Sequence, residues 1–228
     1  FTLYIPFISY RLYLKFMTIQ INYKNSASKN IFGNLILFVN EKYDISGLKD
    51  QISKSEFSYI SDLLKTSELK KNLFVFELNS KRKIILISTK KEIKNTNIEN
   101  LGAELYEKIK DGKSSEYTVN ADTIKIKHSN FISHFLHGLK LKSYIFDKYK
   151  TKKEPKIIKI NVVGKINKPS IQIQSKFEAL EKGTFYTRDL VSEPGNVLHP
   201  DEYAKRLKAL KKYGLKINIY DFKQMKKL

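Results

Sequence analysis

Tyr186-Thr187-Arg188-Asp189-Leu190-Val191-Ser192-Glu193-Pro194-Gly195-Asn196-Val197-Leu198-His199-Pro200 ends one helix, makes a Pro-Gly turn and starts another. Pro194 cannot continue a helix, because it lacks the N–H and its ring crowds the preceding turn. Downstream, each residue class falls where a helix wants it. Pro200 suits the first helical position, where a missing N–H costs nothing. Asp201 and Glu202 complement the positive end of the helix dipole, and Lys208, Lys211 and Lys212 the negative end. Tyr203, Leu207 and Leu210 form an apolar stripe. Gly214 supplies a left-handed C-cap. Upstream, the pattern predicts a long helix from Ile171 to Val191. Downstream, Lys216 to Tyr220 reads as a strand.

Working further outward, strands and helices alternate. Strands are predicted at Thr18–Tyr23 and at Asn34–Val39, whose unbroken Leu-Ile-Leu-Phe-Val run reads as a central strand. Phe57, Ile60, Leu63 and Leu64 have helical spacing within Ser55–Leu64. Leu73–Leu78 and Lys83–Ser88 flank a short polar turn and read as a hairpin. Ile98, Leu101, Leu105 and Ile109 mark a second helix, stopping near Gly112. Tyr117–Ile126 reads as one or two weak strands. Phe131–Tyr149 reads as a helix with Phe135, Leu136, Leu139 and Ile145 on its apolar side. A charged stretch closed by Pro155 then reads as a linker, and Lys156–Val163 as a strand. The alternation implies an α/β sheet.

Composition narrows the class. The chain has 228 residues, 41% of them apolar, with 14 Phe and 14 Tyr to bury, so it folds. The absence of Cys excludes disulfides and thiolate metal sites and fits a cytoplasmic setting. The net charge of +20 raises nucleic acid or an anionic membrane as partners. However, Arg11, Arg82, Arg188 and Arg206 are the only arginines, and the planar Arg fork is what phosphate and base readout favour. Lys, Ile and Asn abound in every kind of segment, which points to an A+T-rich coding sequence instead. The apolar run Phe1–Tyr10 is shorter than the roughly 20 residues needed to span a bilayer. It also has its positive charges on the wrong side for a signal peptide. Residues 1–16, ahead of Met17, are expected to be an upstream extension that is not native.

Two segments carry a family resemblance. One is Phe135-Leu136-His137-Gly138-Leu139 through Tyr144-Ile145-Phe146-Asp147 to Tyr149-Lys150-Thr151. The other runs from Gly183 to Leu228 and includes Arg188-Asp189-Leu190, Glu193-Pro194, Asn196, Pro200 and Asp221-x-x-x-Met225. Together they resemble the leucyl aminopeptidase (cytosol aminopeptidase) family. The resemblance implies a macro-domain-like α/β domain, a mixed sheet flanked by helices, at 17–150. It implies a linker at 151–155, and at 156–228 the first strand and helices of an incomplete α/β catalytic domain. It also implies a cytoplasmic metallo-aminopeptidase that releases N-terminal residues from peptides, a homo-oligomer (hexameric in the family). Two divalent ions, Mn²⁺ or Zn²⁺, would activate water and polarise the carbonyl. The family's Asn-Thr-Asp-Ala-Glu-Gly-Arg motif is not in this sequence, nor is the Lys- and Asp-containing Gly-rich segment before it. No catalytic, metal or substrate-binding residue of the family is therefore assigned here, and the fragment is expected to be inactive. His199 stands where relatives carry Thr or Ser as N-cap, which weakens the cap.

Other residues invite chemistry and have plainer readings. His134 and His137 share a helix face, but a zinc site needs a further ligand, and Asp147 lies too far along. His128 and His199 have no nucleophile nearby in sequence. Arg188 and Asp189 read as a structural pair at a helix end. The six lysines within Lys148–Lys159 read as a solvated linker. Gly164-Lys165 lacks the flanking residues of a phosphate loop. The competing functional reading is a basic macro-like module that binds nucleic acid or an ADP-ribose-like ligand.

Overall fold

The computed structural model describes residues 18–24, 33–151 and 156–227. The expected extension at 1–16 and all but Thr151 of the expected linker lie outside the described residues. Six strands form one sheet: β1 (Ile19–Lys24), β2 (Asn34–Asn40), β3 (Leu73–Asn79), β4 (Arg82–Thr89), β5 (Glu116–Asn120) and β6 (Ile158–Val163), in the order β1-β6-β5-β2-β4-β3. All neighbours pair in parallel except β3, which joins β4 as an antiparallel hairpin at one edge. The mixed α/β sheet expected from sequence is thus observed.

The helices are α1 (Lys54–Thr66), α2 (Asn95–Ile109), α3 (Phe131–Lys142), α4 (Ile171–Ser192), α5 (Pro200–Lys208) and α6 (Phe222–Met225). The sheet is buried on both faces, and this explains the continuous apolar run in β2. Successive residues point to opposite sides. Ile36 and Phe38 of β2, with Ile85 and Ile87 of β4, face the core shared with α2 and α3. Leu35 and Leu37, with Ile84 and Leu86, face the core shared with Ile60 and Leu64 of α1. Helix α1 starts with a reciprocal capping box between Ser53 and Glu56. Arg82 ties that cap to the hairpin: its Nε and Nη2 donate to Glu56, and its Nη1 donates to the Gly33 carbonyl at 2.9 Å. Burial pushes the Glu56 carboxyl up, but the Arg82 guanidinium and the Ser53 amide outweigh it and hold the pKa below the usual carboxylate value.

Helices α2 and α3 cross through two glycines. A Cβ added to Gly102 would overlap the Phe135 carbonyl oxygen and come within 2.8 Å of the Leu139 nitrogen. A Cβ on Gly138 would overlap the Glu99 carbonyl oxygen. The close backbone approach lets Leu101, Leu105, Phe135 and Leu139 interlock over the sheet.

Three expectations are corrected. The strand at 156–163, assigned above to a second domain, lies inside the first sheet between β1 and β5. The first compact unit accordingly extends to Glu181, and the second runs from Lys182 to Leu228. A charged, Pro-closed stretch marks a change of element, whereas strand pairing is non-local: Ile158 lies opposite Ile19. Helix α3 ends at Lys142, where the Ser143 hydroxyl and amide both bond the Lys140 carbonyl, and Ile145 is exposed. Residues 215–220 pair with no strand among the described residues; their alternation is suited to a sheet edge, but a strand needs a partner for its backbone groups. Helix α5 keeps the expected start and C-terminal glycine, but it ends at Lys208 and the expected remainder, Ala209–Tyr213, is a 3-10 turn. It has Pro at its start, His199 as an N-cap without a side-chain bond, and Gly214 left-handed at φ 84° after a 3-10 turn.

Candidate functional site

Within the first unit, two places concentrate chemistry. One is a crevice at the C-terminal ends of the parallel strands. From β4 the chain crosses through α2 to β5, on the other side of β2. The connections on either side of β2 therefore diverge, which is the position where open α/β sheets tend to place ligands. A cavity of about 410 Å³ lies there, lined by residues that include Phe38, Asn40, Asp44, Thr89, Lys91, Thr123 and Lys125.

Several polar groups of this crevice are engaged in building it. The Thr123 hydroxyl accepts from the Phe38 amide and donates to the Asn120 carbonyl. The Thr89 hydroxyl donates to the Val39 carbonyl at 2.8 Å. Asn40 Oδ1 accepts from the amides of Lys42 and Asp44. Hydrogen bonding from Ser46 holds the Asp44 carboxyl below its usual pKa. The turn also contains Tyr43 in the left-handed region at φ 53°, an unfavourable conformation for a bulky residue. Its buried ring packs edge-on against Phe74, and its hydroxyl donates to the Lys71 carbonyl at 2.6 Å, so the surrounding contacts hold it there. These contacts build the rim of the crevice.

The second place is a buried charged cluster where α4 meets α3. Phe177 of α4 packs edge-on against His134 and His137, at 4.9 and 5.3 Å between ring centres. One turn later, Glu181 is 2% exposed. It accepts from Lys140 Nζ at 2.7 Å and lies 3.4 Å from His137 Nδ1. His134 Nδ1 meets Glu99 of α2 at 2.8 Å. Burial, and next the Glu181 charge, push the Tyr23 phenol well above its usual pKa. Each histidine thus has a carboxylate partner, as the His134/His137 face invited, but the two carboxylates are separate. Among the described residues, no three His, Cys, Asp or Glu side chains come together in a way that could hold a metal ion. The cluster's chemistry is that of a dock: a buried carboxylate neutralised by a Lys, beside an aromatic plug.

Glu99 and Glu181 were not legible as partners, because they lie 35 and 44 positions from the histidines they meet. His128 Nδ1 is buried with no hydrogen-bond partner among the described residues, and its ring stands edge-on to Phe131 and His134. Arg188 and Asp189 lie inside α4, before its last residue, Ser192. The motif's Glu193 has a structural role. In the second unit its buried carboxylate accepts from Arg206 Nη1 at 2.8 Å, while Arg206 Nε donates to Glu202. Lys156, from the Lys-rich stretch, donates to the carbonyls of Lys110 and Gly112, closing the C-terminal end of α2. Gly164-Lys165 is a turn gripped from within: Asp122 accepts from the Lys165 and Ile166 amides, leaving no cradle for phosphate.

The family model for the N-terminal domain of the cytosol aminopeptidase family matches residues 36–153, just over half of the chain. A probable cytosol aminopeptidase of Bradyrhizobium sp. is 39% identical over 95 residues, covering 40% of this chain and 19% of that protein. Its counterpart in Agrobacterium fabrum is 38% identical over 100 residues, covering 41% and 20%. The matched segment thus spans about a fifth of the length of these relatives. A solved structure of a tomato leucine aminopeptidase mutant has the same fold, with a TM-score of 0.69 at 19% identity, covering 92% of this chain and 46% of that one. No helix among the described residues is long and apolar enough to cross a membrane. The chain belongs to the cytosol aminopeptidase family and carries its N-terminal domain.

Proposed function

We propose that this chain is the N-terminal part of a leucyl aminopeptidase that releases N-terminal amino acids from peptides in the cytoplasm, as a homo-oligomer. The observation that carries this reading is the family match over residues 36–153. In it, the sheet unit is the non-catalytic domain, and the segment after Lys182 begins the part that bears the chemistry. Two divalent ions, Mn²⁺ or Zn²⁺, belong to that reading of the whole enzyme. The described residues offer no cluster that fits such an ion, so no catalytic step is assigned to them. The second unit contributes structure: Glu193 and Arg206 lock the turn after α4 against α5.

The expectation that these 228 residues are inactive is tested by assaying the purified chain on aminoacyl-p-nitroanilides with Mn²⁺ or Zn²⁺. No turnover is expected. Metal-dependent turnover that chelator abolishes, and that persists through further purification, would overturn the assignment of the chemistry to other parts of the protein.

A further inference from the structure

We infer that the crevice at the C-terminal ends of β2, β4 and β5 binds a small zwitterion with an apolar side chain, the chemistry shared by a free apolar amino acid and a short apolar peptide. This site takes no part in the peptidase chemistry assigned above and does not depend on that assignment. Its cavity of about 410 Å³ lies within the size range of small-molecule sites. Three loops line it, and the sheet sorts those loops by charge.

The loop after β2 turns toward α1, and its Tyr43, Ile45 and Leu48 pack into the core on that face. It brings Glu41 and Asp44 to the crevice. The loops after β4 and β5 turn toward the opposite face, where Ile93, Ile124 and Ile126 pack against the core shared with α2 and α3. They bring Lys91 and Lys125. The crevice therefore has an acidic lip and a basic lip, one from each side of the sheet, and all four of these residues are exposed. The floor between them offers little to a charge. Phe38, Val39 and Leu48 are buried, and the buried hydroxyls of Thr89 and Thr123 are bonded to backbone. The lips are less engaged. Glu41 and Lys91 enter no ion pair among the described residues. Lys125 Nζ has a long contact, 3.5 Å, with the Asp122 carbonyl, and Asp44 accepts from the Ser46 amide at 2.9 Å with one oxygen, Oδ1. A ligand of one charge would gain at one lip and lose at the other. A zwitterion satisfies both: its ammonium meets Glu41 and Asp44, its carboxylate meets Lys91 and Lys125, and its side chain lies on the apolar floor.

The test titrates the whole chain, labelled with nitrogen-15, with L-leucine and separately with L-leucyl-L-leucine, and follows backbone amide shifts. A chelator is present throughout, so that metal-dependent hydrolysis leaves the peptide intact. Saturable shifts are expected at Asn40, Ser46, Thr89 and Lys125, and the tighter of the two ligands tells amino acid from peptide. Leucinamide keeps the ammonium and lacks the carboxylate; isocaproate keeps the carboxylate and lacks the ammonium. Each should bind about fivefold more weakly than leucine, the size of effect expected for one lost ion pair at an exposed site. Glu41→Gln and Lys91→Gln should each weaken zwitterion binding by about threefold to fivefold. Glu41→Gln should leave isocaproate binding unchanged, and Lys91→Gln should do the same for leucinamide. Both variants alter exposed side chains, and thermal melts that coincide with the parent's verify the fold. No saturable shift with either zwitterion, equal affinity for the singly charged analogues, or unchanged affinity in both variants would each overturn the site.

Discussion

Replacing Gly138 with Ala adds one methyl group to the middle of α3 and should be among the most damaging small substitutions in this chain. The new Cβ would overlap the Glu99 carbonyl oxygen and sit 2.5 Å from the Glu99 carbon and 2.6 Å from its Cα. Ordinary contact begins at about 3.4 Å, so α2 and α3 must separate by roughly 1.5 Å to clear the carbonyl oxygen, and the obstacle is backbone that no rotamer change can move. Separation would loosen Leu101, Leu105, Phe135 and Leu139, all buried between these helices and the sheet. Overpacking of this kind costs about 3 kcal/mol at the upper end of its usual range. Alanine's better helix propensity returns about 1 kcal/mol. A net loss of about 2 kcal/mol lowers the melting temperature by roughly 4–8 °C for a chain of this size. Thermal melts followed by circular dichroism at 222 nm would read it, with Gly47→Ala as the control. Gly47 has nothing within 4 Å of an added Cβ, so that variant should stay within about 0.5 kcal/mol of the parent. If Gly138→Ala melts with the parent, the helices are not held at the distance the structure gives, and the reasoning fails.

Two further outcomes follow from the sheet and from the α1 cap. A chain cut after Thr151 loses β6, which leaves β1 and β5 without their shared neighbour; it should fail to show a cooperative melt, while a chain cut after Glu181 should keep one. A cooperative melt for the shorter piece would mean that the sheet closes without its inserted strand. The Glu56 carboxyl has a folded pKa below its unfolded value, so its stabilising contribution is present above the unfolded value of about 4.3 and is lost as pH falls through the folded one. Urea titrations should therefore show the parent more stable than Glu56→Gln at pH 7, with the gap closing as the pH is lowered below about 4; a gap independent of pH would show that the carboxylate charge contributes nothing.

By itself, the sequence determined the elements and the family. The unbroken Leu35–Val39 run, the spacing of Ile98, Leu101, Leu105 and Ile109, and the Pro200-to-Gly214 helix with its charge order are local signals. Period, cap and dipole act within a few residues, so they survive without tertiary information. The Arg188-to-Pro200 motif was legible for the same reason. What only the tertiary structure decided is non-local. Nothing near Lys156–Val163 says that its partners are residues 19–24 and 116–120, so a compositional break was read as a domain boundary. Nothing near His134 or His137 says that Glu99 and Glu181 complete their pairs, or that Gly138 faces the Glu99 backbone. The apolar alternation of Ile217 and Ile219 was visible, yet it made no strand, because a strand is defined by the partner that takes its hydrogen bonds. Local chemistry sets which elements can form; which of them meet depends on closing long loops around a shared core, and that free energy belongs to the whole fold.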